Sequence, residues 1–109
     1  MGLDMYVRIK KDTEESVDIW YGRKLNEIHG WMQRTSGIEA EAFNCHSYAL
    51  TADILDAFEA DISHLNPTEG FFFGRPNDID VVMEAANDLI TASRTALLCG
   101  KTPYYFSWF

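Results

Sequence analysis

LDMYVRI, residues 3–9, alternates apolar Leu3, Met5, Val7 and Ile9 with Asp4, Tyr6 and Arg8. Successive side chains of a strand point to opposite faces, so this spacing predicts a strand with one buried face and one open face. The far end of the chain, PYYFSWF at 103–109, reads the same way. Tyr104, Phe106 and Trp108 fall on one face, and Tyr105 and Ser107 on the other. Five aromatics in seven residues exceed what a loose tail would hold, so this stretch is expected to be integral to a sheet.

Between these ends the pattern changes period. KKDTEES (10–16) is a polar turn, and VDIWYG (17–22) reads as a returning strand broken by Gly22. From Arg23 to Arg34, Leu25, Ile28, Trp31 and Met32 follow helical spacing. Gly30 inside that helix suggests close packing of another element. TSGIEAEAF (35–43) is a loop or short turn, and NCHSYAL (44–50) a strand. Thr51 is then the N-cap of a second helix that buries Ile54, Leu55, Phe58, Ile62 and Leu65 and ends at Asn66-Pro67. GFFFG (70–74) reads as a short strand between two turn glycines. A third helix follows Pro76-Asn77, with Asp78 and Asp80 in its first turn. Its buried stripe is Ile79, Val82, Met83, Ala86, Ile90, Ser93 and Leu97, and Gly100 caps its end. The expected fold is α+β: a single domain over 1–109, with one small sheet of four to five short strands, mixed in direction, covered on one face by three helices.

Composition narrows the function classes. The 109 residues suffice for one core, and 47% apolar content argues against disorder. No apolar run approaches a membrane span, and the start lacks a signal-peptide pattern or the Ser or Thr of a myristoylation motif. Asn66-Pro67-Thr68 is spoiled as a glycosylation acceptor by its proline. Cys45 and Cys99 match neither a zinc nor a redox spacing, which suits a reducing cytosol. The net charge of −8 is unevenly spread. Acids and bases cancel over 1–34, whereas 51–90 hold nine acids against Arg75 alone. That half should repel nucleic acid and attract a basic protein surface.

Four groups could carry function. Arg23, Lys24, Asn26 and His29 cluster at the start of the first helix, where an anion could be received; with Tyr48 they form a candidate small-molecule or nucleotide pocket, lined also by Trp31 or Tyr105. The plainer reading is a solvated helix start and a core-edge histidine. Cys45 and His46 point to opposite faces of a strand, and Cys45 with His29 lacks an orienting third residue. Cys45, His46, His64 and Cys99 do not match metal-ligand spacing, so neither a metal nor another cofactor is expected. GFFFG lacks the Lys and Ser/Thr of a phosphate loop. Finally, Asp53, Asp56, Glu59, Asp61, Asp80, Glu84 and Asp88 lie off the apolar stripes of the second and third helices. They are either a solvated face or an electrostatic lure for a basic protein.

Several stretches together resemble one family. MGLDMY at the start, WYGRKLNEIHGWM, NCHSYALT, GFFFG and the terminal YYFSW look like a group of small phage and prophage proteins. The resemblance covers nearly the whole chain. The positions that match its pattern are Arg23, Lys24, Asn26, His29, Trp31, Tyr48, Gly70 and Gly74. In that group the tryptophan sits directly before Arg-Lys, whereas here Tyr21 and Gly22 separate Trp20 from Arg23. Automatic labels of phosphoglycerate kinase attach to such proteins, but 109 residues cannot hold two substrate-binding lobes.

The resemblance implies a phage origin and action inside the bacterial host. Joined to the concentrated acidity, it gives the expectation of a non-enzymatic accessory protein. Such a protein would bind and inhibit a host defence or nucleic-acid-handling factor, anti-CRISPR activity included, through an acidic surface that mimics nucleic acid. If the protein is dimeric, the uncovered aromatic sheet face is the expected contact.

Overall fold

The structure is a computed structural model that describes residues 3–10, 16–65 and 77–109. Two strands open the chain, β1 (Asp4–Lys10) and β2 (Ser16–Arg23). Helix α1 (Asn26–Ser36), the short α2 (Ala40–Phe43) and the two-residue β3 (Tyr48–Ala49) follow. Then come α3 (Ala52–Asp61), a 3₁₀ turn (Ile62–His64), α4 (Ile79–Leu98) and β4 (Pro103–Trp108). The fold is α+β, with one four-stranded sheet in the order β2-β1-β4-β3.

The sheet differs from expectation in the direction of its strands. All three pairings, β1 with β2, β1 with β4 and β3 with β4, are antiparallel rather than mixed. Alternation in sequence fixes which residues face the core but says nothing of strand direction, which depends on the connections. GFFFG and the helix stop at Asn66-Pro67 lie outside the described residues.

The first and last strands are neighbours at the centre of the sheet. Met5 and Val7 of β1, Trp20 of β2 and Tyr105 of β4 point to the helices and are buried. They meet Ile28, Trp31 and Met32 of α1, Leu55 and Phe58 of α3, and Val82, Ala86, Leu89 and Ile90 of α4 in one core. The expected alternation of β4 is seen directly, with Tyr105 and Ser107 buried and Trp108 exposed. At the β2–α1 corner, a methyl group on Gly22 would stand 2.6 Å from the Trp20 ring and 2.9 Å from Leu25. Glycine is therefore required there by close approach, not by its backbone angles.

Capping sets two helix starts. The Thr51 hydroxyl accepts from the Ile54 N–H at 3.3 Å, and the Asp78 carboxylate accepts from the Asp80 N–H at 2.8 Å. At the far end of α4, Gly100 takes a left-handed φ of 75° and returns its N–H to Leu97. The stripe of α4 is shifted from the expected one. Leu89 and Ala96 are buried, while Ile79 is 46% exposed. NCHSYAL contributes only Tyr48 and Ala49 to the sheet; Asn44 and Cys45 form a turn in which Cys45 has φ 60°.

Candidate functional site

The seven acids expected to meet a partner are all exposed. Asp53, Asp56, Glu59 and Asp61 lie on α3, and Asp80, Glu84 and Asp88 on α4. They are not equivalent. Arg94, near the end of α4, reaches across to Asp56 at 2.8 Å and Glu59 at 3.1 Å, clamping the two helices together. These two hydrogen-bonded carboxylates raise the Arg94 pKa still further. Asp61 accepts the Trp31 indole N–H at 2.8 Å and so joins α3 to α1. Those three carboxylates therefore have structural work within the fold.

Asp80, Glu84 and Asp88 are different. They recur at i, i+4 and i+8, which stacks them along one side of a helix at neighbouring distances. Asp80 gains from the helix N-terminus, but each like-charge pair costs an isolated helix about 0.2–0.5 kcal/mol. Val81, 53% exposed, and Ile79 lie beside this line at the start of α4. The surface thus combines carboxylates with uncovered apolar side chains.

The second candidate cluster divides in two. Asn26 and His29 are buried on α1, at 2% and 1% exposure, whereas Arg23 and Lys24 are exposed. His29 Nδ1 and the Tyr105 hydroxyl share a hydrogen bond of 2.8 Å, and the imidazole packs against Phe43 and edge-on to Phe109. Burial lowers the His29 pKa to about 4, and burial pushes the Tyr105 phenol well above its ordinary value despite the neighbouring Ser107 hydroxyl. Both side chains are thus neutral near pH 7. Sealed from solvent, they serve packing and hydrogen bonding rather than an accessible acid–base pair. Tyr48 is half-buried and reaches the cluster through Phe43, with ring centroids 6.2 Å apart; burial raises its pKa.

The start of α1 already holds an anion. The Glu27 side chain, 4% exposed, accepts from the Asn77 backbone N–H at 3.2 Å and from its side-chain amide at 2.7 Å. The same amide also donates to the Lys24 carbonyl at 2.9 Å. An incoming anionic ligand would confront that carboxylate in place of a bare helix dipole. Both polar atoms of the Asn26 side chain are buried with no hydrogen-bond partner among the described residues. A cavity of about 360 Å³ lies instead between the β1–β2 ribbon and the end of α4, lined by Ile9, Ile19, Ala92, Ala96, Cys99 and Lys101.

Cys45 is exposed in its turn, with its thiol 3.7 Å from the Asn44 amide oxygen. Among the described residues, no group of three metal-ligating side chains converges and no helix is long and apolar enough to cross a membrane. Sequence reasoning missed the roles of Glu27, Asn77 and Arg94. Their contacts span 50, 35 and 38 residues, so helical spacing could not expose them. The only signal for Arg94 is a basic residue on a helix that is otherwise acidic.

Known protein families, curated proteins and solved structures were each compared with the chain, and none matches.

Proposed function

We propose that this chain is a non-enzymatic, protein-binding accessory protein of phage origin. It acts in the cytoplasm of the bacterial host and inhibits a host protein with a basic surface, such as a defence or nucleic-acid-handling factor. The observation that carries this reading is the line Asp80–Glu84–Asp88. It is exposed, spaced so that its charges repel within the helix, and bordered by exposed Ile79 and Val81. A basic partner would relieve that repulsion, and the apolar neighbours would give the contact a dry component. Asp53 extends the acidic surface on α3. Asp56, Glu59 and Asp61 shape it through their ties to Arg94 and Trp31.

The test is a pull-down from bacterial lysate at rising salt, with wild type and the Asp80→Lys/Glu84→Lys/Asp88→Lys variant as baits. The expected result is a partner that wild type retains at low salt and loses as salt rises, and that the variant never retains. Equal recovery by both baits would overturn the reading.

A further inference from the structure

The cleft between the β1–β2 ribbon and the last two turns of α4 arises from two features of the sequence. The first is in β2. The register passes from Val7–Trp20 to Arg8–Asp18, so Ile19 is an extra residue with no opposite number on β1. A bulge of this kind re-aims a side chain, and Ile19 packs against the core, as Trp20 does. The second feature is in α4. As far as Ile90 its buried stripe includes Val82, Leu89 and Ile90, which fill the space beneath the sheet. Beyond that point the side that faces the ribbon is Ala92, Ala96 and Cys99, at i, i+4 and i+7, and all three are small. Ile9 and Ile19 look at them across about 360 Å³.

An apolar void of about 150 Å³ already takes up benzene, and small-ligand sites begin at about 300 Å³. Ile9, Ile19 and Ala92 are only half-buried, so the cleft is open on one side and a ligand enters without parting the core. None of the described residues that line it carries a ring. The Thr95 hydroxyl, at its edge, already donates to the Thr91 carbonyl at 2.8 Å.

The charged group of the wall is Lys101. Its backbone N–H donates to the Ala96 carbonyl at 2.9 Å, which holds the residue at the mouth. Among the described residues no carboxylate lies within ion-pair reach of its ammonium, whereas Arg8, Arg23 and Arg94 are each paired. The Thr95, Ala96 and Leu97 carbonyls accept from the N–H groups of Cys99, Gly100 and Lys101, which blunts the negative end of the helix beside it.

We propose that this cleft binds a straight-chain aliphatic carboxylate, with its chain along Ala92, Ala96 and Cys99 and its carboxylate at Lys101. The two turns from Ala92 to Cys99 span about 10 Å, the length of an extended chain of about eight or nine carbons. Walls of methyl and methylene groups take such a chain out of water but give a ring no face to stack on. A single cation at one end of an apolar trough matches a single anion at one end of an apolar chain. With a net charge of −8 the protein repels anions in general, so the ligand depends on that local cation. The inference does not rest on the proposed function, because Asp80 lies about 28 Å from Cys99 along α4.

The probe is sodium octanoate, titrated into the isotope-labelled full-length chain below its micellar concentration and followed by methyl and amide chemical shifts. Saturable one-to-one shifts are expected at Ile9, Ile19, Ala92 and Ala96, with a dissociation constant of about 0.1–1 mM for a ligand of about ten non-hydrogen atoms. Lys101→Met keeps the apolar stem and removes the charge at an exposed position. It should weaken octanoate about two- to fivefold, as for an exposed ion pair, and leave the binding of octan-1-ol unchanged. Ala92→Leu fills the trough and should abolish the shifts from both ligands, while its melting temperature, equal to or above that of wild type, shows an intact fold. Wild type without saturable shifts in the cleft, Lys101→Met that binds octanoate as wild type does, or folded Ala92→Leu that still binds it would each overturn the proposal.

Discussion

His29 is neutral in the folded chain because burial, not a charged neighbour, lowers its pKa to about 4. Unfolded, the same imidazole titrates near 6.5. Its folded form binds fewer protons, so its contribution is complete above about pH 6.5 and is lost as pH falls toward 4. A shift of that size is worth roughly 3 kcal/mol. Chemical denaturation at pH 7 and pH 4.5 should therefore show a steeper acid loss in wild type than in His29→Gln. Equal slopes would mean that other groups govern the acid limb. The partner group can be tested separately. Tyr105→Phe keeps the ring and removes the hydroxyl, leaving His29 Nδ1 without that bond, at a cost of about 1–3 kcal/mol. A melting temperature unchanged from wild type would show that the hydrogen bond is dispensable. Gly22→Ala acts by a different route. Its methyl group would press on Trp20 and Leu25, so a destabilisation of about 1–3 kcal/mol is expected in urea melts, and a neutral result would mean that the corner yields freely.

At the scale of elements, β4 holds the architecture together. It lies between β1 and β3 and places Tyr105 in the core beside His29. Deleting residues 104–109 would break the sheet and expose the helix-facing side of β1. The expected outcome is no cooperative unfolding transition, checked by circular dichroism; a truncation that melts like wild type would make the strand peripheral. This element was legible in the sequence because alternation over six residues leaves no ambiguity of face. So was the start of α3, since the Thr51 side chain satisfies a free helix N–H group locally; Asp78, expected in the first turn of α4, instead caps that helix from the position before it. What could not be read was anything settled by tertiary contact. The antiparallel course of β3 is one case, the exposure of Ile79 another, and the division of Arg23 and Lys24 from Asn26 and His29 a third. Spacing assigned those four residues to one cluster, but only packing decides which of them enters the core.

Viewed whole, the molecule has two unlike surfaces. The helical side carries the seven exposed acids on α3 and α4, and the side of the sheet away from the helices carries the row Tyr21–Tyr6–Phe106 beside the Arg8–Asp18 and Arg23–Asp4 pairs. Exposure of those acids was legible from helical period alone. Their division into clamped and unclamped groups was not, because Arg94 makes its contacts across the fold. The central claim is that the acidic helical side is where a basic host protein binds. The most direct measurement is an amide chemical-shift map of the labelled chain, titrated with the protein that the wild-type bait recovers. The expected result is a continuous set of shifted amides over 53–61 and 79–88, diminishing as salt is added. Shifts confined to β1, β2 and β4, or shifts on the helices that are indifferent to salt, would contradict it.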